Sequence, residues 1–181
     1  MGCSSKKKEP SLDCTGVDLK TIHVLSQENI TIDLPVTWNK IDTMPFNPDQ
    51  YFVSTKTVNS PDSSSYLFNY ARTHPKGDKY RTDSIGLIAQ LDGSLKPISN
   101  GLDSLISSTY LEVQDWKIAV RRSYIKGSRY KLIGQVLFMR NSIRNEIYIR
   151  LVDSSSLRKG DKILSCILNT LKISNTKVLN R

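Results

Sequence analysis

Trp116-Lys117-Ile118-Ala119-Val120, Tyr130-Lys131-Leu132-Ile133-Gly134-Gln135-Val136-Leu137-Phe138-Met139-Arg140 and Glu146-Ile147-Tyr148-Ile149-Arg150-Leu151 decide the fold. The first opens a strand. The second is long and apolar, which suits a central strand. The third alternates, with Ile147, Ile149 and Leu151 on one side and Glu146, Tyr148 and Arg150 on the other. Period two is the signature of a strand with one face on a core. Lys126-Gly127-Ser128 and Asn141-Ser142-Ile143-Arg144-Asn145 supply the turns. Residues 116 to 153 therefore read as a three-strand antiparallel meander.

C-terminal to it, Ser155 or Ser156 can cap a helix. Leu157, Leu164, Ile167, Leu168 and Leu171 share one stripe of that helix, flanked by Ile163. Cys166 falls nearly opposite the stripe, so it stays out of the deep core unless the helix is covered on both sides. Residues 175 to 181 read as a polar tail.

N-terminal to the meander, Ile22, Val24, Ile30, Ile32 and Leu34 alternate with polar residues, a hairpin turning at Ser26-Gln27-Glu28-Asn29. Pro35 ends the second strand, and Trp38 lids one end of the core. Residues 39 to 50 read as a loop containing Pro45 and Pro48. Two more strands follow, Tyr51 to Val58 and Ser65 to Ala71, around the turn Asn59-Ser60-Pro61-Asp62. His74-Pro75-Lys76-Gly77-Asp78 is an exposed loop. Thr82 to Tyr110 is a helical middle: Thr82 or Asp83 caps a first helix that Pro97, Asn100 and Gly101 break. Leu102, Leu105 and Ile106 suggest a second. The whole is an α+β fold, an antiparallel sheet (hairpin plus meander) packed with helices, over residues 19 to 174.

The order of elements and three phrases resemble the PsbP-like fold. Its members include the photosystem extrinsic protein PsbP, Ran-binding Mog-type proteins, and bacterial DcrB-like lipoproteins and secretion adaptors. Ile30-Thr31-Ile32-Asp33-Leu34-Pro35-Val36-Thr37-Trp38 is similar to the opening strand of that fold, and Trp116 to Leu151 to its central sheet. Ile163-Leu164-Ser165-Cys166-Ile167-Leu168-Asn169-Thr170-Leu171-Lys172-Ile173 is similar to its closing helix. Residues 72 to 110 carry none of the likeness. The resemblance implies a PsbP-like sandwich and a binding protein without catalytic residues.

The other informative stretch is Met1-Gly2-Cys3-Ser4-Ser5-Lys6-Lys7-Lys8. It opens a tether, residues 1 to 18, without apolar period. Cys3 can carry lipid in two ways. In a bacterial lipoprotein Cys3 is the mature first residue, with Met1-Gly2 left over. In a eukaryotic adaptor Gly2 is myristoylated and Cys3 palmitoylated, with three lysines attracting anionic lipid. The myristoylation pattern wants Ser or Thr at position six, where Lys6 stands. That departure favours the bacterial reading. With Cys3 acylated, Cys14 and Cys166 remain, either as a disulfide in an oxidising compartment or as two thiols that fill space.

The net charge of +9 suits anionic lipid or an acidic partner. Arg121, Arg122, Arg140 and Arg144 form the candidate partner surface; the bland alternative is a solvated face kept for solubility. No stacking-aromatic or Arg/Gly pattern points to nucleic acid. No apolar run approaches the roughly 20 residues of a bilayer span. The chain has two histidines, His23 and His74, and no metal-ligand spacing. It contains neither a phosphate-binding Gly-rich loop nor Gly-x-Ser-x-Gly. No catalytic residue, metal or cofactor is expected. The expectation is a non-catalytic lipoprotein, anchored to a bacterial membrane and most simply the outer one. It would serve as scaffold or accessory subunit of an envelope assembly for secretion, motility or outer-membrane proteins. The alternatives are a carrier of a small hydrophobic ligand and the eukaryotic dual-acylated adaptor.

Overall fold

The computed structural model describes residues 12–25, 29–44, 52–73, 83–99, 103–126, 130–140, 143–153, 156–174 and 176–179. Cys3, Lys6 to Lys8, His74 and its loop, and the tips of three turns expected at 26–28, 127–129 and 141–142 lie outside them.

Among the described residues, two antiparallel sheets and two helices make up the fold. The smaller sheet joins β1 (Leu19–Leu25), β2 (Ile30–Pro35), β10 (Lys172–Ile173) and β11 (Thr176–Lys177) in the order β1-β2-β10-β11. The larger runs β3-β4-β5-β9-β8-β7-β6, with β3 at Lys40–Met44, β4 at Phe52–Asn59, β5 at Tyr66–Thr73, β6 at Asp103–Val113, β7 at Trp116–Ile125, β8 at Tyr130–Arg140 and β9 at Ile143–Asp153. Helices α1 (Ser84–Ser99) and α2 (Leu157–Asn169) lie on opposite faces of it. The architecture is α+β but dominated by sheet.

Alternation in β7, β8 and β9 divides the side chains between the faces. Ile118, Val120, Leu132, Val136, Phe138, Ile147 and Ile149 face α2 and the small sheet, whose Ile30, Ile32 and Leu34 complete the main core. Trp38 is buried against this core, and Phe138 meets Trp116 edge to face at 5.7 Å. Ala119, Leu137 and Met139 face the other way and receive Leu87 and Leu91 of α1. At Gly134 the helix α2 approaches the sheet closely: a β-carbon there would lie 2.9 Å from Leu164 Cδ1.

Local chemistry sets the helix starts. Asp83 Oδ1 accepts from Gly86 N at 2.9 Å, and Ser156 Oγ accepts from Lys159 N at 3.1 Å, each relieving an unpaired first-turn amide.

Four expectations differ from the structure. Residues 40–44, expected as loop, form β3. Helix α1 continues to Ser99 and takes Pro97 into its last turn, forgoing the hydrogen bond to the carbonyl four residues back. The expected second helix near Leu105 and Ile106 is β6. Leu102, Leu105 and Ile106 stand at helical spacing in the sequence, and a bulge between Leu105 and Ser107 shifts the register against β7, which interrupts the alternation that marks a strand. The C-terminal stretch read as polar tail instead forms β11 and buries Val178 completely; Val178 N donates to Leu171 O at 2.9 Å.

Candidate functional site

The residues before β1 are not a free tether where they are described. Thr15 N donates to Asp13 Oδ1 at 2.9 Å, and Val17 N to Cys14 O at 3.1 Å. Gly16 sits in this turn at φ +80, a conformation that costs glycine nothing. The turn sets Cys14 against α2, where it is disulfide-bonded to Cys166 with 5.8 Å between the α-carbons. Lys162 of α2 reaches back to Asp13 at 3.4 Å and to Thr15 O at 3.2 Å. The hydrogen bonds from Thr15, with help from Lys162, lower the Asp13 carboxyl to about 2. Cys166 is fully buried although it lies opposite the apolar stripe. The N-terminal segment covers the outer side of the helix and removes the conflict.

The four arginines do not make one surface. Arg121 is buried on the α1 side and pairs with Asp92 of α1. Its neighbour Arg122 points to the other side, 3.2 Å from Asp161 of α2, and also donates to Ser165. Arg140 stacks on Trp116 at 4.4 Å and reaches Asp115 at 3.5 Å. Arg144 is buried and pairs with Glu146 at 3.0 Å. Each guanidinium has an internal carboxylate, so the four are structural charges divided between both faces. This corrects the expectation of a shared partner surface. Arg144 and Glu146 stand two apart on one strand, whereas the partners of Arg121, Arg122 and Arg140 come from other segments, on which apolar patterning carries no information.

On the α1 side Gln135 Nε2 approaches Glu146 Oε1 at 3.5 Å. Buried Ser123 Oγ and Gln135 Oε1 have no hydrogen-bond partner among the described residues, the ordinary setting for a bound water. Nearby Tyr148 is held well above the usual phenol range, chiefly by burial.

A groove is the remaining feature, and sequence reasoning missed it. About 200 Å³ in volume, it lies between β6, β7 and α2. Val120, Leu168, Leu12 and Leu179 supply apolar wall; Ser107, Thr109, Arg122, Ser165 and Asn169 supply polar rim. Leu12 is held there by the segment that Cys14 fastens to α2. Leu179 arrives from the C-terminal hairpin. No local motif links positions 12, 120, 168 and 179, so only the folded chain reveals them together. Among the described residues there is no His/Cys/Asp/Glu group suited to a metal ion and no helix long and apolar enough to cross a membrane.

The small sheet and α2 on one face of the large sheet, with α1 on the other, define a PsbP-like fold. The chain is similar to the solution structure of cyanobacterial PsbP from Synechocystis sp. PCC 6803, with a TM-score of 0.57 over 89% of this chain and 97% of that one, at 11% identity. Weaker likenesses are to a Bacteroides thetaiotaomicron protein (TM-score 0.43, 12% identity, 85% of this chain and 48% of that one) and to a Pseudomonas aeruginosa protein of unknown function (TM-score 0.42, 12% identity, 87% and 99%). No protein-family model and no curated protein matches the sequence. At 11% identity the likeness concerns the fold alone.

Proposed function

We propose that this protein is a lipid-anchored, non-catalytic adaptor of a bacterial cell-envelope assembly. Cys3 carries the lipid and the PsbP-like domain carries the binding surface. The observation behind this reading is the Cys14–Cys166 bond. Structural disulfides belong to oxidising compartments, which supports the envelope over the cytosolic, dual-acylated alternative. The bond also takes up both other cysteines and leaves Cys3 as the remaining thiol. It shortens the reach from the membrane too. Only the residues between Cys3 and Cys14 separate anchor from body, at most about 40 Å when fully extended.

The non-catalytic part rests on the scattered titratable side chains and the internal pairing of the buried arginines. The carrier alternative draws on the groove, but about 200 Å³ falls below the roughly 300 Å³ at which small-molecule pockets begin. That favours the adaptor. The test is the native amino terminus: mass spectrometry should find an acylated Cys3, and Cys3→Ser should leave the membrane fraction. Full retention of that variant in the membrane would sink the proposal.

A further inference from the structure

The two edges of the large sheet are built differently. One edge, β3, is short, spanning Lys40–Met44. It carries the exposed Lys40, and shortness and charge both discourage another strand from pairing. The other edge, β6, is eleven residues long. From Ser104 to Leu111 it holds no charge and no proline. Its outer row of backbone amides and carbonyls is a template for an added strand. Ser107, Ser108 and Thr109 are exposed, and Leu105 is 56% exposed. The groove opens beside the same edge: Ser107 and Thr109 form its rim, and Leu12, another exposed apolar side chain, lines it.

We propose that β6 takes up an extended, acidic segment of a partner protein as an additional strand, seating one large apolar side chain of that segment in the groove. This deepens the adaptor reading by naming how the partner binds. Strand addition divides the work: main-chain hydrogen bonds supply affinity, and alternate side chains supply selectivity. The groove offers room for about one large side chain against Val120 and Leu168. The sign of the partner follows from charge. The chain carries +9, and Lys6, Lys7 and Lys8 precede the groove residue Leu12 by only a few positions. The same charge opposes a second copy of this chain at the edge, since pairing β6 with β6 would bring two bodies of +9 together.

The test uses the full chain and a short synthetic peptide of alternating threonine and valine, with glutamates at both ends and a central phenylalanine. Amide NMR shifts should concentrate on Ser104 to Glu112 and on Val120 and Leu168. N-methylation of alternate peptide amides, which removes the donors facing β6, should weaken binding about tenfold or more. Alanine for the central phenylalanine should do likewise, and so should lysines for the glutamates. Ser108→Glu, an exposed change that sets a like charge beside the acidic peptide, should weaken binding several-fold while leaving the melting temperature unchanged. Absence of any shift at about 1 mM peptide, shifts mapping to another face, or undiminished binding by the N-methylated peptide would overturn the proposal. Concentration-dependent dimerisation that moves the β6 amides without peptide would overturn it in favour of a second copy. The assay needs no lipid, so its failure leaves the anchor at Cys3 untouched, and loss of the anchor leaves this result standing.

Discussion

Arg121 and Arg122 are neighbours in β7 and fasten the two helices to opposite faces of one sheet. Arg121 pairs with Asp92 of α1, and Arg122 sits 3.2 Å from Asp161 of α2. Alternation along a strand sends successive side chains to opposite faces. Two adjacent cations can therefore serve two layers that never touch.

The two pairs should differ in strength. Arg121 is buried while Asp92 is half exposed. Asp92→Asn leaves a buried guanidinium short of its counter-charge, whereas Arg121→Ala leaves only a solvated carboxylate but removes packing. Both should destabilise, by about 1–3 kcal/mol. Asp161 and Arg122 are each only part-buried, so their coupling in a double-mutant cycle should stay within about 1 kcal/mol. Urea unfolding of the single and double variants measures both.

Reduction of the Cys14–Cys166 bond opens a loop of 152 residues. The chain-entropy model assigns such a loop about 5 kcal/mol. The Cys14→Ser, Cys166→Ala double variant should lose about 3–5 kcal/mol, and the wild-type melting temperature should fall comparably with reductant. Alkylation under non-reducing, denaturing conditions should label only Cys3, when that residue is unacylated. Labelling of all three cysteines would show that the bond does not form.

Gly134 lies under α2. Its missing β-carbon would meet Leu164 Cδ1 at 2.9 Å and both Leu168 δ-carbons at 3.3 Å. Gly134→Val should cost about 2–3 kcal/mol by overpacking a filled core. In a Leu164→Ala background, which vacates the nearest contact, the same change should cost clearly less. Equal costs in both backgrounds would mean that the close approach of α2 is not the cause.

Acid should weaken two turns together. Asp13 is lowered to about 2 by Thr15 and Lys162, and Asp62 to about 2 by Ser60 and Ser64. A depressed folded-state value stabilises the native state above the ordinary value of 3.8. That contribution is lost as pH falls from there through about 2. Asp62→Asn should lower the melting temperature at neutral pH, converge with the wild type near pH 2, and so flatten the profile between about pH 4 and pH 2. An unchanged acid limb would remove Asp62 as a contributor.

Much of the fold was legible because it rests on local pattern. The period-two runs in β2 and β9 sort side chains into two sets before any partner exists, the long apolar run of β8 marks a central strand, and the stripe of α2 does the same for a helix. Ser156 announces its helix by a hydroxyl that a first-turn amide needs. The misread elements had their local signal masked. The bulge in β6 interrupted the period-two pattern around Leu105 and Ile106. The shortness of β3 and β11 left too few residues for a period to show.

The sequence by itself determined the antiparallel meander, the closing helix, the +9 charge and the availability of Cys14 and Cys166 for each other. These follow from residue type and spacing, which need no knowledge of distant chain. Only the tertiary structure decided that Arg121, Arg122 and Arg140 are spent on carboxylates outside their own strands, that the segment around Cys14 covers the outside of α2, and that β6 ends the sheet beside a groove. Each of those depends on which remote segments become neighbours. That is settled by packing two sheets and two helices around a common core.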